Sequence, residues 1–325
     1  MLLSHVEIWT GCWEYVSRPY TVLICSLGAA LCYLWGRKCQ PPTVVSSKTF
    51  GAFLKKHCPV VTEVFTPTPW CWGGRFQTLV FALLKSKPPV TYRKCVVFNN
   101  RGVAGEELLT PVTYCAASTA DLEHVVSYVK GLYPHAPVLG AGVSFGGMLL
   151  LNYLARKRTE SGLVAGITIS VPWDTMKSAA SMEEPLNWLL FNKFLTRGLC
   201  SAVTSHRQSV SLMNAFTSLM FGYKTCTDYY NDASPYKRLP STTVPIVCLN
   251  AADDPFSPHY AFPVSIVQDL PNVALVMTAH GGHMAFLQGM FPRGEGFMDR
   301  LVGQYVQAVF EHQRDINKAC GVKED

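Results

Sequence analysis

A serine between two glycines is the residue of this sequence whose setting best suits covalent chemistry. Ser144 lies in the motif Gly142-Val143-Ser144-Phe145-Gly146, between an apolar run at 137–142 and a helix-like segment at 147–156. A sharp turn from strand to helix crowds the backbone, so we expect Gly142 and Gly146 to remove side chains that would clash and to leave the hydroxyl exposed. The motif predicts a nucleophile; the alternative is that Ser144 only caps the helix.

A nucleophilic serine needs a histidine to accept its proton and a carboxylate to orient that histidine. In the chain order serine, acid, histidine, the acid candidates are Asp253 and Asp254, which follow an apolar run at 245–250. The histidine candidates are His280 and His283, which follow a second apolar run at 273–278. Two other histidines, His206 and His259, have no comparable setting. The residues alone leave both pairs of candidates open.

The elements that must position these residues follow an alternating order of strand and helix. Such an order predicts an α/β fold with a mostly parallel sheet and helices on both faces. We expect strands at 96–98, 137–142, 163–171, 245–250 and 273–278. We expect helices from 118 onward, at 147–156, near 258–269 and near 297–311. Two stretches break the alternation: 43–92 is interpreted as a cap, and the weakly charged, aromatic stretch at about 172–241 as a lid insertion.

An apolar segment near the amino terminus is predicted to be a membrane anchor. Residues 20–35 carry no charge and are bounded by Arg18 and by Arg37-Lys38. At about 1.5 Å per residue they reach about 24 Å of a roughly 30 Å hydrocarbon core. We expect residues 1–42 to form an N-terminal region with a single-pass anchor at about 20–36. The alternative is a helix docked on the domain or lying in one leaflet.

Charge and cysteine usage argue against several other classes of protein. The 28 Lys and Arg against 22 Asp and Glu give a net charge of +6. These basic residues are scattered, so a nucleic-acid partner is not expected. The 12 cysteines show no Cys-x-x-Cys or Cys/His ligand spacing, so neither a zinc site nor a redox dithiol is indicated. We expect no metal and no organic cofactor.

Several further segments are more specific than three candidate residues. They are VVFNNRGVAGEELLTP at 96–111, GVSFGGMLLLNYL, PLNWLLFN, SLMFGY, DASP, NAADDPFSP and GGHMAFLQG, together with PTPWCWGGR and the apolar segment. They resemble the branch of the alpha/beta-hydrolase family that contains the alpha/beta-hydrolase domain-containing proteins 1 and 3, over nearly the whole chain. The resemblance implies a hydrolase domain at 43–325 and a single-pass membrane protein. It also implies that the substrates are phospholipids, in particular phosphatidylcholines.

The same resemblance assigns roles to individual residues. It implies Ser144 as nucleophile, Asp254 as acid and His283 as base. Asp254 to Pro258 fits the family's Asp-x-x-x-Pro turn better than a start at Asp253, and His283 after Gly281-Gly282 fits better than His280. The amide of Phe145, the residue after the nucleophile, is expected to donate to the oxyanion.

This chain departs from its relatives in two places. Cys95 runs straight into Val96, where the relatives have their first strands and a Leu-Pro-Gly-x-Thr-Gly loop that should help to form the oxyanion hole. A shorter gap is expected between about 209 and 216, and both gaps are typical of exon skipping or of an incorrect gene model. Loss of one oxyanion donor commonly costs ~10²- to 10³-fold in rate. We therefore expect phospholipid hydrolysis, with acyl transfer to an alcohol or an impaired lipid-binding protein as alternatives.

Overall fold

The structure, a computed structural model, describes most of the chain. The described residues are 19–36, 38–84, 95–103, 108, 112–197, 221–292 and 294–322.

A five-stranded sheet lies at the centre of the fold. Its strands are β1 (Thr43–Val45), β2 (Leu139–Val143), β3 (Ala165–Ile169), β4 (Ile246–Ala251) and β5 (Val273–Thr278). They are arranged in the order β1-β5-β4-β3-β2. The last four are parallel, whereas β1 pairs antiparallel with β5. Every residue of β3 and β4 is buried, as expected for strands covered on both faces.

Helices cover both faces of this sheet. The described α-helices of six residues or more are α1 (Pro19–Gly36), α2 (Lys48–His57), α3 (Gly74–Leu84), α4 (Ala120–Leu132), α5 (Phe145–Lys157), α6 (Thr175–Met182), α7 (Cys226–Ala233), α8 (Val264–Asp269), α9 (Phe297–Glu311) and α10 (Gln313–Ala319). Residues of α2, α9 and α10 share one buried cluster with β3 and β4. Residues of α4, α5 and α8 share a second cluster on the opposite face. The predicted fold class is confirmed.

The interpretation of 43–92 as a cap was wrong for residues 43–65, which belong to the sheet and its core. Residues 43–45 form the antiparallel edge strand β1. Helix α2 then buries Phe50, Phe53 and Leu54 in the core. Apolar residues three and four positions apart lie on one face of a helix, so this face packs on the sheet. The first residues of the domain are therefore part of its sheet and core.

The strand predicted at 96–98 is also wrong, since these residues have no regular secondary structure. Val96 and Val97 are 60% and 77% exposed. An apolar run becomes a strand only where a neighbour accepts its hydrogen bonds, and β2 is the edge of the described sheet. The predicted turn that follows is present, with Gly102 at a φ of 73°.

Helix α1 contains the segment predicted to be the anchor. Its 18 residues extend about 27 Å at the usual rise per residue. Leu23, Ile24 and Leu27 are exposed, while the Trp35 indole N–H donates to the carbonyl of Pro67 at 2.8 Å. Within the residues that the structure describes, no helix combines the length and the apolar character needed to cross a bilayer.

Candidate active site

The turn between β2 and α5 holds Ser144 in a backbone conformation that is unusual for a residue with a side chain. Its φ of 52° and ψ of −118° are stabilised by a hydrogen bond from its N–H to the carbonyl of Ile169 at 2.8 Å. Non-glycine residues adopt such strained angles mainly at functional sites. The side chain of Ser144 makes no capping hydrogen bond to α5, which argues against the N-cap alternative.

Close packing explains only one of the two glycines that flank this serine. A Cβ on Gly142 would lie 2.5 Å from the carbonyl oxygen of Gly146, so a side chain is excluded there. A Cβ on Gly146 would meet nothing within 4 Å. The crowded partner is instead Gly147, whose Cβ would lie 2.5 Å from Val171. The expectation of a clash at Gly146 was therefore wrong, because that residue faces open space.

The structure brings Ser144, Asp254 and His283 together from three separate loops. The Ser144 Oγ lies 2.8 Å from His283 Nε2, and His283 Nδ1 lies 2.8 Å and 3.1 Å from the two carboxylate oxygens of Asp254. Asp254 and His283 are each 3% exposed. This chain of contacts can move a proton from the hydroxyl to the ring while the carboxylate fixes the ring's orientation.

The loop after β4 donates backbone hydrogen bonds to the carboxylate of Asp254. Asp254 Oδ1 accepts hydrogen bonds from the backbone N–H groups of Phe256 and Ser257, at 2.7 Å and 3.2 Å. The Ser257 hydroxyl in turn donates to the carbonyl of Val171 at 2.6 Å. The same carbonyl also accepts from the amide of Asn250 at 3.1 Å. The acid is thus tied to the loop after β3 as well as to its own strand.

The rejected candidates, Asp253 and His280, pair with each other. Asp253 Oδ2 lies 3.0 Å from His280 Nδ1, and its other oxygen accepts the N–H of Gly282 at 2.9 Å. Gly282 has a φ of 58°, and a Cβ there would lie 2.3 Å from the carbonyl oxygen of Gly74. The adjacent acids therefore divide two tasks: Asp254 contacts the ring of His283, and Asp253 holds the backbone next to it.

Two hydroxyl residues that the sequence reasoning missed hold the backbone of the histidine loop. The Thr78 hydroxyl accepts the N–H of His283 at 2.8 Å and donates to the carbonyl of Gly74 at 2.7 Å. The Ser170 hydroxyl accepts the N–H of Met284 at 2.9 Å. Thr78 lies on α3, in the stretch interpreted as a cap, and no motif marks it. The position of Thr78 is set by Gly74, four residues earlier on α3, which packs closely against Asp253 and Gly282.

Two aromatic rings lie next to the histidine, of which Phe191 belongs to the predicted lid and Phe256 to the acid loop. Phe256 stacks on His283 with ring centroids 4.3 Å apart, and Phe191 lies 5.4 Å from Phe256. The Ser181 hydroxyl donates to the carbonyl of Pro255 at 2.8 Å, which fixes α6 to the acid loop. The neighbouring surface is apolar and exposed, and it is formed by Leu186, Trp188, Leu189, Phe194 and Leu195.

The lid prediction is only partly covered by the structure. Residues 172–197 and 221–241 are described, whereas the gap expected between 209 and 216 lies outside the described residues. His206 is also outside them. His259, the other histidine set aside, is exposed at the surface beside Tyr260.

The predicted oxyanion donor, Phe145, is the first residue of α5. An N–H group in the first turn of a helix has no partner within that helix, so the Phe145 amide is free of the helix's own ladder. It lies beside β2, whose last residue, Val143, is 44% exposed. The nucleophile therefore sits at the open edge of the described sheet.

Comparison with known proteins finds relatives over most of the chain. Residues 57–291 match the model of the "Alpha/beta hydrolase family". The chain is 42% identical to "Phospholipase ABHD3" of Homo sapiens, over 90% of each chain, and 43% identical to the Mus musculus protein of that name, also over 90% of each. It is 34% identical to "Protein abhd-3.2" of Caenorhabditis elegans, over 67% of this chain and 62% of that one.

The alignment with the human protein also bears on the gaps. It is 369 residues long, and 90% of this 325-residue chain is about 293 residues, so roughly 76 aligned positions have no residue in this chain. The positions of the predicted gaps, after Cys95 and near 209–216, stay predictions.

Proposed function

This chain belongs to the alpha/beta hydrolase family and is an ester hydrolase, and we propose that it cleaves the acyl esters of phospholipids with Ser144 as nucleophile. The observation that carries the proposal is the 2.8 Å contact between Ser144 Oγ and His283 Nε2 in a site where Asp254 holds the opposite ring nitrogen. No other described histidine stands between a serine and a buried carboxylate in this way.

The proposed reaction has two stages. Ser144 Oγ attacks the ester carbonyl while His283 Nε2 takes the hydroxyl proton, and Asp254 stabilises the imidazolium that results. Collapse of the tetrahedral intermediate breaks the ester bond, and His283 returns the proton to the leaving alkoxide, which is a lysophospholipid. Water then attacks the acyl-serine with His283 as base. The fatty acid leaves and Ser144 is regenerated.

A lipid substrate is supported by the apolar surroundings of the site. Phe256 stacks on the ring of His283, and Phe191, which belongs to the apolar stretch 186–195, packs against Phe256. An acyl chain is the ligand that such a surface accommodates at little cost in desolvation. The relatives named phospholipases support the same substrate class. By resemblance, we propose phosphatidylcholine as the phospholipid.

Membrane attachment through α1 is part of this proposal. The helix exposes Leu23, Ile24, Leu27 and Leu31 to its surroundings. Its carboxyl-terminal end is joined to the domain by the Trp35 to Pro67 hydrogen bond. Apolar side chains of this kind gain free energy in a lipid environment. The single-pass arrangement remains a prediction.

A second candidate function is that of an impaired enzyme that binds lipid. It is favoured by the roughly 76 unmatched positions in the alignment with the human protein and by the position of β2 at the sheet edge. In this family a loop from the neighbouring strands supplies the other oxyanion amide. With only the Phe145 amide left, attack on an ester is expected to be slow.

Labelling with a fluorophosphonate probe tests the proposal. We expect the folded chain to be labelled at Ser144 and the Ser144→Ala variant to remain unlabelled. If the folded chain is not labelled, the proposal that Ser144 is the nucleophile of a working enzyme fails and the lipid-binding candidate is favoured. Where labelling occurs, release of lysophosphatidylcholine from phosphatidylcholine vesicles tests the substrate. Added alcohol distinguishes hydrolysis from acyl transfer through the product formed.

A further inference from the structure

Two histidines and an aspartate converge on the face of the domain formed by α2, α9 and α10. They are His57, the last residue of α2, His312, which lies between α9 and α10, and Asp315, in the first turn of α10. One possible ligand atom of each lies within 4.8 Å of those of the other two. The rings of His57 and His312 have centroids 4.1 Å apart and are inclined by 44°. We propose that these three residues bind a zinc ion.

The three side chains are close together without being paired. Among the residues that the structure describes, none of the three makes a side-chain hydrogen bond or an ion pair. Polar groups that converge without satisfying one another leave room for an ion between them. Ligands of tetrahedral zinc, bonded at about 2.0–2.2 Å, lie about 3.3 Å apart. Small rotations of the exposed Asp315 side chain and of the two half-buried histidine rings would close the present separation to that value.

The backbone that carries these ligands is held by the core. Phe53, Leu54 and Ile316 are buried between α2, α9 and α10. The Thr49 hydroxyl donates to the carbonyl of Ala319 at 2.6 Å, which ties the start of α2 to the end of α10. Phe53 also packs against the ring of His57, with centroids 4.5 Å apart. Ligands on rigid helix ends lose little conformational freedom when a metal binds.

The types of the ligands select the metal. Two imidazoles and one carboxylate suit zinc, whereas calcium and magnesium prefer oxygen alone. The thiol of Cys58 follows His57 in the chain but is completely buried in the core cluster, so it is not a ligand. Lys56 is the neighbouring cation that opposes binding. Three protein ligands leave the fourth position of a tetrahedron to water.

The role that follows is structural. The ion joins α2, which follows the edge strand β1, to the last two helices of the domain. It therefore holds α2 against α9 and α10 on the face of the sheet away from α5. The site does not depend on the proposed function of Ser144. The sequence gives no sign of this site, because its ligands are separated by most of the chain.

The test is a titration of the metal-depleted full chain with zinc ions, followed by calorimetry and by competition with a chromophoric chelator. We expect one ion per chain at this site and a rise in the melting temperature on binding. His57→Ala, His312→Ala and Asp315→Asn should each weaken this binding at least about tenfold. His124→Ala, an exposed histidine on α4, is the matched control and should leave it unchanged. Cobalt in place of zinc should give the visible absorption of a tetrahedral site, and this absorption should be lost in His57→Ala.

The proposal is overturned if the folded chain binds no zinc, or if zinc binds equally well to all three variants. The second result would assign the ion to another site, such as the histidines beside Ser144. Asp315→Asn changes an exposed residue and keeps its shape, so it is expected to fold even if the histidine variants do not. If the histidine variants do not fold, loss of binding in Asp315→Asn, with an unchanged melting temperature in the absence of zinc, supports the site.

Discussion

The two halves of the candidate active site differ in how completely they are held. The histidine and its acid are buried, and the histidine loop donates backbone hydrogen bonds to the side chains of Thr78, Ser170 and Asp253. Ser144 lies at the edge of the described sheet, beside an exposed Val143 and next to Gly146, whose Cα faces open space. The histidine half is held by contacts on several sides, whereas the serine half is next to the sheet on one side only.

This difference separates two requirements of the same reaction. Proton transfer depends on the histidine half, whose distances are those of working hydrogen bonds. Stabilisation of the oxyanion depends on donors beside the nucleophile, where we propose that the Phe145 amide is one. Electrostatic stabilisation is often the larger contribution to catalysis. A site can therefore have a well-placed nucleophile and base and still turn over slowly.

Exchange of each adjacent acid for its amide should give the largest contrast. Asp254→Asn favours the wrong tautomer of His283 and is expected to lower the labelling rate of Ser144 by about 10⁴-fold. Asp253→Asn keeps the shape of the residue that holds Gly282 and should cost about tenfold or less. Fluorophosphonate labelling over time measures both rates. Equal losses in the two variants would contradict the division of tasks between these acids.

Restoring the segment that is missing after Cys95 should test the serine half of the site. The relatives' segment is expected to pair with the free edge of β2 and to supply a second oxyanion amide. Ester hydrolysis should then rise by about 10²- to 10³-fold. A flexible insert of the same length is the matched control and should give no increase. If the restored chain is no faster, the open edge does not limit the reaction.

The two glycines beside Ser144 should respond unequally to alanine. At Gly142 a Cβ meets backbone atoms that cannot move aside, so Gly142→Ala is expected to lower the free energy of unfolding by about 2–3 kcal/mol. At Gly146 there is space, and alanine is a better helix former by up to about 1 kcal/mol. Urea unfolding monitored by circular dichroism measures both. A large loss at Gly146 would mean that its surroundings are more crowded than described.

The hydroxyl of Thr78 should give the smallest effect. Thr78→Val leaves the buried N–H of His283 without an acceptor, which is expected to cost about 1–2 kcal/mol and to slow labelling by about tenfold. Thr78→Ser retains the hydroxyl and is the control that should recover most of the rate. A valine variant as fast as the native chain would show that the histidine loop holds its position without Thr78.

The sequence predicted the parts of this site that have local signatures. Ser144 is marked by its glycines, and the acid and histidine loops are marked by the apolar strands that precede them. The contacts of Thr78 and Ser170 were not predicted, because they join residues far apart in the chain through ordinary hydroxyl groups. The strand predicted at 96–98 failed for a related reason. Its apolar composition favours a strand, but pairing depends on neighbours that a local pattern does not contain.

The hydrogen bond between Trp35 and Pro67 has a mechanical consequence for the site. Pro67 forms an antiparallel bridge with Gln288, and the N–H of Thr68 donates to the carbonyl of Leu287 at 3.1 Å. Both partners lie a few residues beyond His283. A force applied along α1 is therefore transmitted to the histidine loop through two short hydrogen-bonded connections. Binding of α1 to a surface therefore fixes the orientation of the active site relative to that surface as well as its distance from it.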